Sequence, residues 1–289
     1  MPELPEVETV RRGIEHMVVG RRIESVEIGR ERSVRRVGKE TVTHLLTGTT
    51  MTAARRRGKY LLCDLDSGDE VMIHLRMSGR VLVEPIGTKR PPHTHVVATL
   101  SPRDGLAHEM WFVDPRTFGE VVVFDPRQTA DVLPELARLG PDPIVDEFNA
   151  DVLARQLSGK RGALKPLLLN QHVVAGVGNI YADESLWRAK IHPETPRPLL
   201  VRRHGGQPRQ PHPQRRLHQA RPRGRHPERA RGAHGAGDQV ARAAEAAAVV
   251  VGLVDEVAQA ATTTGWVPDM VVLSVGGGGL LCGVLQGLQ

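Results

Sequence analysis

At 289 residues, with 40% apolar but only 3% aromatic residues, the chain can bury one large or two smaller cores built mainly from Val, Leu, Ile and Ala. Two cysteines, Cys63 and Cys282, exclude a disulfide framework and a four-cysteine zinc site. No apolar run approaches the roughly 18 residues of a membrane span, so a cytoplasmic protein without a membrane partner is expected. The formal charge of +6 and pI near 9.8 describe one tract, not the whole chain. Ten Arg against Glu228 and Asp238 give Arg202 to Val240 a net charge of +8, whereas the residues before it carry +1 and those after it −3. A nucleic-acid face in the earlier region must therefore come from local clustering.

Leu4, Val7, Val10, Ile14 and Val18 recur at helical spacing with Arg11, Arg12 and Glu15 off the stripe. This predicts an amphipathic helix with Pro5 in its first turn and its end near Gly20. Eight short β-rich runs follow: Arg22 to Ile28, Thr50 to Ala54, Tyr60 to Leu65, Val71 to Leu75, Arg80 to Val83, His95 to Leu100, Met110 to Val113 and Glu120 to Phe124. Turn residues such as Ser67-Gly68, Ser78-Gly79 and Asp104-Gly105 separate them, the signature of an antiparallel sandwich or barrel. From Asp131 the pattern turns helical, with helices predicted over Asp131 to Leu139, Asn149 to Leu157, Gly162 to Asn170 and Ile180 to Lys190. Pro141-Asp142-Pro143 reads as a hinge between the two parts.

Arg202 to Gln239 holds ten Arg, five His and five Pro with Leu217 as its only large aliphatic residue, and is expected to be disordered. It reads either as a basic arm gripping phosphates or as an out-of-frame translation of a GC-rich region. Ala243 to Ala261 reads as an Ala/Val-rich helix. Trp266 to Leu280 reads as a strand entering the loop Gly276-Gly277-Gly278-Gly279. These last residues resemble the phosphate cradle of pyridoxal-phosphate serine and threonine dehydratases. Without an upstream cofactor lysine, the resemblance implies a non-functional fragment.

The first ten residues, Met1-Pro2-Glu3-Leu4-Pro5-Glu6-Val7-Glu8-Thr9-Val10, carry the chemistry. Removal of Met1 leaves Pro2 as a free secondary amine whose attack on a sugar C1′ gives a cationic imine directly. The adjacent Glu3 carboxyl can move protons. Lys59 stands in Arg57-Gly58-Lys59-Tyr60-Leu61, and loops occur at His74-Leu75-Arg76-Met77-Ser78-Gly79 and Asp114-Pro115-Arg116-Thr117-Phe118-Gly119. Pro92-His93-Thr94-His95-Val96 lacks further ligands at metal-binding spacing. In Val174-Ala175-Gly176-Val177-Gly178-Asn179-Ile180 the glycines permit close backbone approach, and Asn179 can cap the next helix and hold a phosphate at its N-terminus. A dinucleotide-binding loop is excluded there, since no third glycine and no βαβ unit follow.

Residues 1 to about 200 resemble the formamidopyrimidine-DNA glycosylases and the related endonuclease VIII enzymes of base-excision repair. The resemblance implies an α+β fold: an N-terminal helix with an antiparallel β-sandwich (1–130), then an incomplete helix–two-turn–helix domain (131–201). The basic tract (202–240) and a short α/β dehydratase-like fragment (241–289) would follow. It implies Pro2 as nucleophile, Glu3 as proton carrier and Lys59 as proton donor in strand cleavage. Met77 and Phe118 become wedges filling the space of a flipped nucleotide, although each alone reads as a core residue. Arg116 pairs with the orphaned base, and His93, Arg161 and Asn179 contact DNA, with His95 facing the sandwich. The partner is damaged double-stranded DNA, bound by a monomer. The family's four-cysteine zinc finger has no counterpart, so no metal or other cofactor is expected, and activity on duplex DNA is expected to be weak or absent. A non-catalytic damaged-DNA-binding protein and an inactive fusion with a dehydratase fragment are the alternatives.

Overall fold

The computed structural model describes residues 2–189 and 191–194. The C-terminal basic tract, the Ala/Val-rich helix and the dehydratase-like glycine loop of the sequence reading lie outside these residues. The chain opens with helix α1 (Leu4–Met17), whose apolar stripe Leu4, Val7, Ile14 and, just past its end, Val18 is buried. Glu6 reaches back from the first turn to accept the Glu3 N–H at 3.1 Å, which satisfies a donor the helix cannot.

Two four-stranded antiparallel sheets follow, packed face to face. One has the order β1 (Ile23–Ile28), β6 (Thr94–Arg103), β7 (Leu106–Val113), β5 (Arg80–Pro85). The other runs β2 (Met51–Arg57), β3 (Tyr60–Leu65), β4 (Glu70–His74), β8 (Glu120–Phe124). All eight strands fall where the short β-rich runs predict them, and the expected sandwich is the architecture found. Ile23, Met51, Leu61, Cys63, Ile73, Ala98, Leu100 and Phe112 fill the space between the sheets together with Val7 and Ile14 of α1. The second sheet is covered on its outer face too: Tyr60, Leu62, Met72, Val122 and Phe124 pack under Leu133 and Leu136. Burial on both faces explains why β3 and β8 read as continuous apolar runs instead of alternating.

Two features depart from the sequence reading in this lobe. Helix α2 (Lys39–Leu46) had no sequence signal, because only Val42 and Leu46 of its eight residues are buried. The single helix expected over Asp131 to Leu139 is two short turns, α3 (Thr129–Val132) and α4 (Pro134–Ala137). Pro134 has no N–H to continue the ladder and starts the second turn afresh.

The helical lobe consists of α5 (Ala150–Leu157), α6 (Leu164–Leu169) and α7 (Asn179–Arg188) around Leu153, Leu157, Leu164, Leu168, Val174, Val177, Ala182 and Leu186. Asn149 caps α5, its side chain accepting from the N–H groups of Asp151 and Val152. The supposed hinge at Pro141-Asp142-Pro143 is instead a pinned joint. Asp142, fully buried, accepts from the Arg56 guanidinium at 2.6 and 3.2 Å, from Gly58 N–H at 2.7 Å and from Ile144 N–H at 3.0 Å. Arg56 also meets Glu8 of α1 at 3.1 Å, so one buried ion-pair network ties α1, β2 and the connection between lobes.

Candidate active site and nucleic-acid interface

The reactive end of the chain lies where the lobes meet. Pro2 is half-buried, and Glu3 behind it is 3% exposed. The Glu3 carboxylate is held by the start of α7: Oε2 accepts the N–H of Gly178 at 3.0 Å and of Tyr181 at 3.1 Å, and Oε1 that of Ile180 at 2.8 Å. These donors are ones an α-helix leaves unpaired at its N-terminus, and the helix dipole there favours a negative charge. This corrects the reading of Asn179 as the cap. The N-cap position belongs to Gly178, Asn179 is the first helical residue with an exposed side chain, and the acceptor comes from the other end of the chain.

The two glycines of Gly176-Val177-Gly178 are there to admit that end. A Cβ on Gly176 would collide with the Leu4 side chain and one on Gly178 with the Glu3 carboxylate, so the close approach expected of them is to the N-terminus. Gln171 braces the same loop, its amide donating to Val177 C=O at 2.9 Å and its oxygen accepting from Gly176 N–H at 2.9 Å.

Lys59 occupies the two-residue turn between β2 and β3, where Gly58 takes φ +57°. It is buried, and burial holds its ammonium below the ordinary lysine value against the opposing pull of Glu3 and Glu6. Burial pushes the Glu6 carboxyl up. The turn is fixed from across the lobe boundary by the Gly58 N–H to Asp142 bond. Beside it, the His74 ring packs on Tyr60 with centroids 4.3 Å apart. Burial, helped by the positive charges of Arg76, Lys59 and Arg36, drives His74 down to about 3, so the ring is neutral. Pro2, the Glu3 carboxylate and a Lys59 ammonium with a weakened hold on its proton thus lie along one seam, and loss of Met1 would make the Pro2 nitrogen an amine able to serve in covalent catalysis with proton transfer.

A second group of side chains is presented, not buried. Met77 and Phe118 are each 47% exposed, which removes the core reading of both. One buried carboxylate organises their two loops. Asp114 Oδ1 accepts from Ser78 Oγ and from Arg116 N–H, and Oδ2 from Gly119 N–H at 2.7 Å. The exposed Arg116 reaches Met77 Sδ at 3.5 Å. His95 is buried, its Nε2 2.8 Å from the Asp114 carbonyl oxygen, whereas His93 is exposed. Two of the four non-glycine residues with positive φ among the described residues, Arg76 and Thr117, lie in these loops, and a third, His93, accepts the Asp114 N–H at its carbonyl at 3.0 Å. Strained backbone of this kind persists only where surrounding contacts over-determine it.

Basic residues gather around the same loops. The neighbouring charges of Arg32, Arg36 and Arg76, after burial, hold the Arg35 guanidinium below its usual value. This is the local clustering that the uneven charge distribution requires. Arg161 is exposed between α5 and α6, and no described contact links it to the Pro2–Glu3 end. Sequence reasoning missed the ordering roles of Asp114, Asp142 and Gln171. Asp114 opens a loop motif already singled out; the other two carry no local signal.

Residues 1–121 match the formamidopyrimidine-DNA glycosylase N-terminal domain and residues 139–204 the formamidopyrimidine-DNA glycosylase H2TH domain. The chain is 43% identical over 211 residues to formamidopyrimidine-DNA glycosylase of Thermobifida fusca, a match covering 70% of this chain and 71% of that one. The chain belongs to the formamidopyrimidine-DNA glycosylase family. The relative from Nocardioides is 45% identical over 198 residues, 68% of this chain and 66% of its own length. The match thus spans about two thirds of that glycosylase. Among solved structures, Lactococcus lactis formamidopyrimidine-DNA glycosylase bound non-covalently to DNA with an abasic site superposes with a TM-score of 0.69 at 28% identity, covering 90% of this chain and 82% of that one. Its complex with DNA containing a formamidopyrimidine nucleotide gives 0.68 at 28% identity, with 89% and 80% covered. Among the described residues no helix is long and apolar enough to cross a membrane.

Proposed function

We propose that the chain is a bifunctional DNA glycosylase and abasic-site lyase of base-excision repair, acting on oxidised purines in double-stranded DNA. Family membership supports the reaction class. The assignment of residues is carried by the Glu3 carboxylate, buried at the seam between lobes, held by three backbone N–H groups and adjacent to the Pro2 nitrogen. The Pro2 amine attacks C1′ of a flipped nucleotide, and the C1′–N bond breaks with its electron pair leaving on the base. Glu3 takes up the proton that the Pro2 nitrogen sheds after bonding to C1′ and passes it to the ring oxygen as the C1′–O4′ bond opens, which leaves a cationic imine. Loss of a C2′ proton then expels the 3′ phosphate. Lys59 serves that step as a proton donor, its burial weakening its hold on the proton.

Met77 and Phe118 fill the vacated space, where apolar wedges offset the unstacking cost of a few kcal/mol. Arg116 pairs with the orphaned base, and His93, Arg161 and Asn179 take phosphates, with Asn179 beside the helix start that Glu3 occupies. The protein acts as a cytoplasmic monomer. The family's four-cysteine zinc finger does not fit the thiols of this sequence. Cys63 is sealed in β3, its thiol pushed up to about 12 by burial, and Cys282 stands alone. We propose no cofactor and route no step through a metal.

Borohydride reduction in the presence of duplex DNA with an abasic site tests this reading. A covalent protein–DNA adduct is expected, and it should vanish when two residues are placed ahead of Pro2 so that its nitrogen becomes an amide. Absence of adduct from the unaltered protein at every concentration overturns the catalytic assignment. Salt-sensitive binding without adduct would mark a non-catalytic damaged-DNA-binding protein instead.

A further inference from the structure

We propose that Arg32 is a positioning residue for the Arg116–Phe118 loop, acting through the carbonyl of Thr117. This rests on the roles assigned above to Arg116 and Phe118. Arg32 lies in a single helical turn, Glu31–Val34, whose Ser33 and Val34 are buried in the sandwich lobe. From that anchored base its Nε–H donates to Thr117 C=O at 3.1 Å, across 85 residues of sequence. The carbonyl it holds belongs to the peptide joining Thr117 to Phe118, and therefore helps set the direction in which the Phe118 ring leaves the backbone.

The loop needs such a hold because of its shape. Thr117 takes φ +55°, a region that residues with a Cβ rarely adopt, so its backbone has a lower-energy alternative close by. The ends of the loop are fixed elsewhere. Asp114 takes the N–H groups of Arg116 and Gly119. Buried Glu120, at the start of β8, is paired with Arg35 and with Arg36, the latter at 2.9 Å. The segment from Arg32 to Arg36 thus straps the loop at its apex and at its exit. Removing the Arg32 side chain frees the apex alone, and a wedge must be held at its insertion angle to displace a stacked base.

Arg32 is exposed, so its replacement leaves the core intact. The rival role, a direct phosphate contact, predicts a different result in the same experiment. The full chain is titrated onto a duplex carrying a tetrahydrofuran abasic analogue opposite a fluorescent adenine analogue, with Arg32→Ala, Arg32→Lys, Phe118→Ala and the Arg32→Ala/Phe118→Ala double variant compared. The fluorescence change at saturation reports unstacking of the opposite base. A positioning role predicts that Arg32→Ala lowers this change at least about threefold, that Arg32→Lys recovers part of it, and that the double variant is no worse than Phe118→Ala. The slope of binding against salt should stay unchanged, whereas loss of a phosphate contact reduces it by about one.

Effects of Arg32→Ala and Phe118→Ala that multiply, or a reduced salt slope, overturn the positioning role. So does an unchanged fluorescence response from Arg32→Ala when the unaltered protein binds and forms the borohydride-trapped adduct; in that case the proposed reaction stands. An unaltered protein that neither binds this duplex nor forms the adduct overturns both.

Discussion

The end proposed to react and the loops proposed to wedge are built in opposite ways. Glu3 is bonded to residues 175, 177 and 178 positions away in sequence, and its surroundings close only when α7 docks on α1. The Met77 and Phe118 loops are stitched by partners 2, 5, 36 and 38 positions apart, all gathered by Asp114 and Ser78 within the sandwich lobe. One region is buried and pinned from both lobes; the other is half-exposed on strained backbone. Covalent chemistry at a single sugar carbon needs a fixed nitrogen and a fixed proton carrier. Entry into a base stack needs apolar side chains standing in water, at a cost the fold carries through rigid loop bases.

The sharpest way to break this contrast is to unpin the seam without touching the loops. Asp142→Ala leaves the buried Arg56 guanidinium without its main partner, and should cost about 3–5 kcal/mol in chemical denaturation. A loss below about 1 kcal/mol would show that the joint does not hold the lobes. Next in size, Glu3→Gln keeps the Pro2 amine but turns a pure acceptor into a group with donors facing the α7 N–H groups. Single-turnover base excision should fall at least about 100-fold, while the affinity for abasic-analogue duplex, set by the loops and basic residues, changes little. Equal losses in both measurements would mean that the seam and the loops are one unit.

The smallest effect is acid sensitivity. His74 stands between the two regions, under the influence of both Lys59 and Arg76. Its value is about 3 in the fold against 6.5 in the unfolded chain, so below pH 6.5 the unfolded chain binds more protons and stability falls with pH until about 3. Between pH 6.5 and roughly 5 this group removes at most about 2 kcal/mol. His74→Phe keeps a ring on Tyr60 and should flatten that part of the stability curve; an unaltered slope would mean the ring is not excluded from water.

The same contrast explains what was legible in the sequence. All eight strands were, because β-rich runs and the turn residues between them are local signals, and the motifs around Lys59, Met77 and Arg116 lie on contiguous segments. The break at Pro134 was legible in principle but outweighed by the apolar spacing around it. Helix α2 was not, since two buried residues four apart make too short a stripe among Thr and His. Asn179 was given the capping role because a cap is sought among neighbours in sequence, whereas the acceptor at α7 is Glu3. The Asp142 joint looked like a hinge because two prolines flank it, and nothing local reveals that Arg56 and Gly58 close on the residue between them. Arg161 carries a charge without a described partner, so its part in DNA binding rests on resemblance alone.

The bonds from Glu3 to Gly178, Ile180 and Tyr181 also set an order of events during synthesis. The amine end leaves the ribosome first, but the peptide groups that complete its surroundings follow about ten to forty seconds later at ordinary elongation rates. Until then a nascent chain has a nucleophile without a fixed acid beside it. On the function proposed above, the proton carrier would be fixed beside the nitrogen only when the second lobe docks.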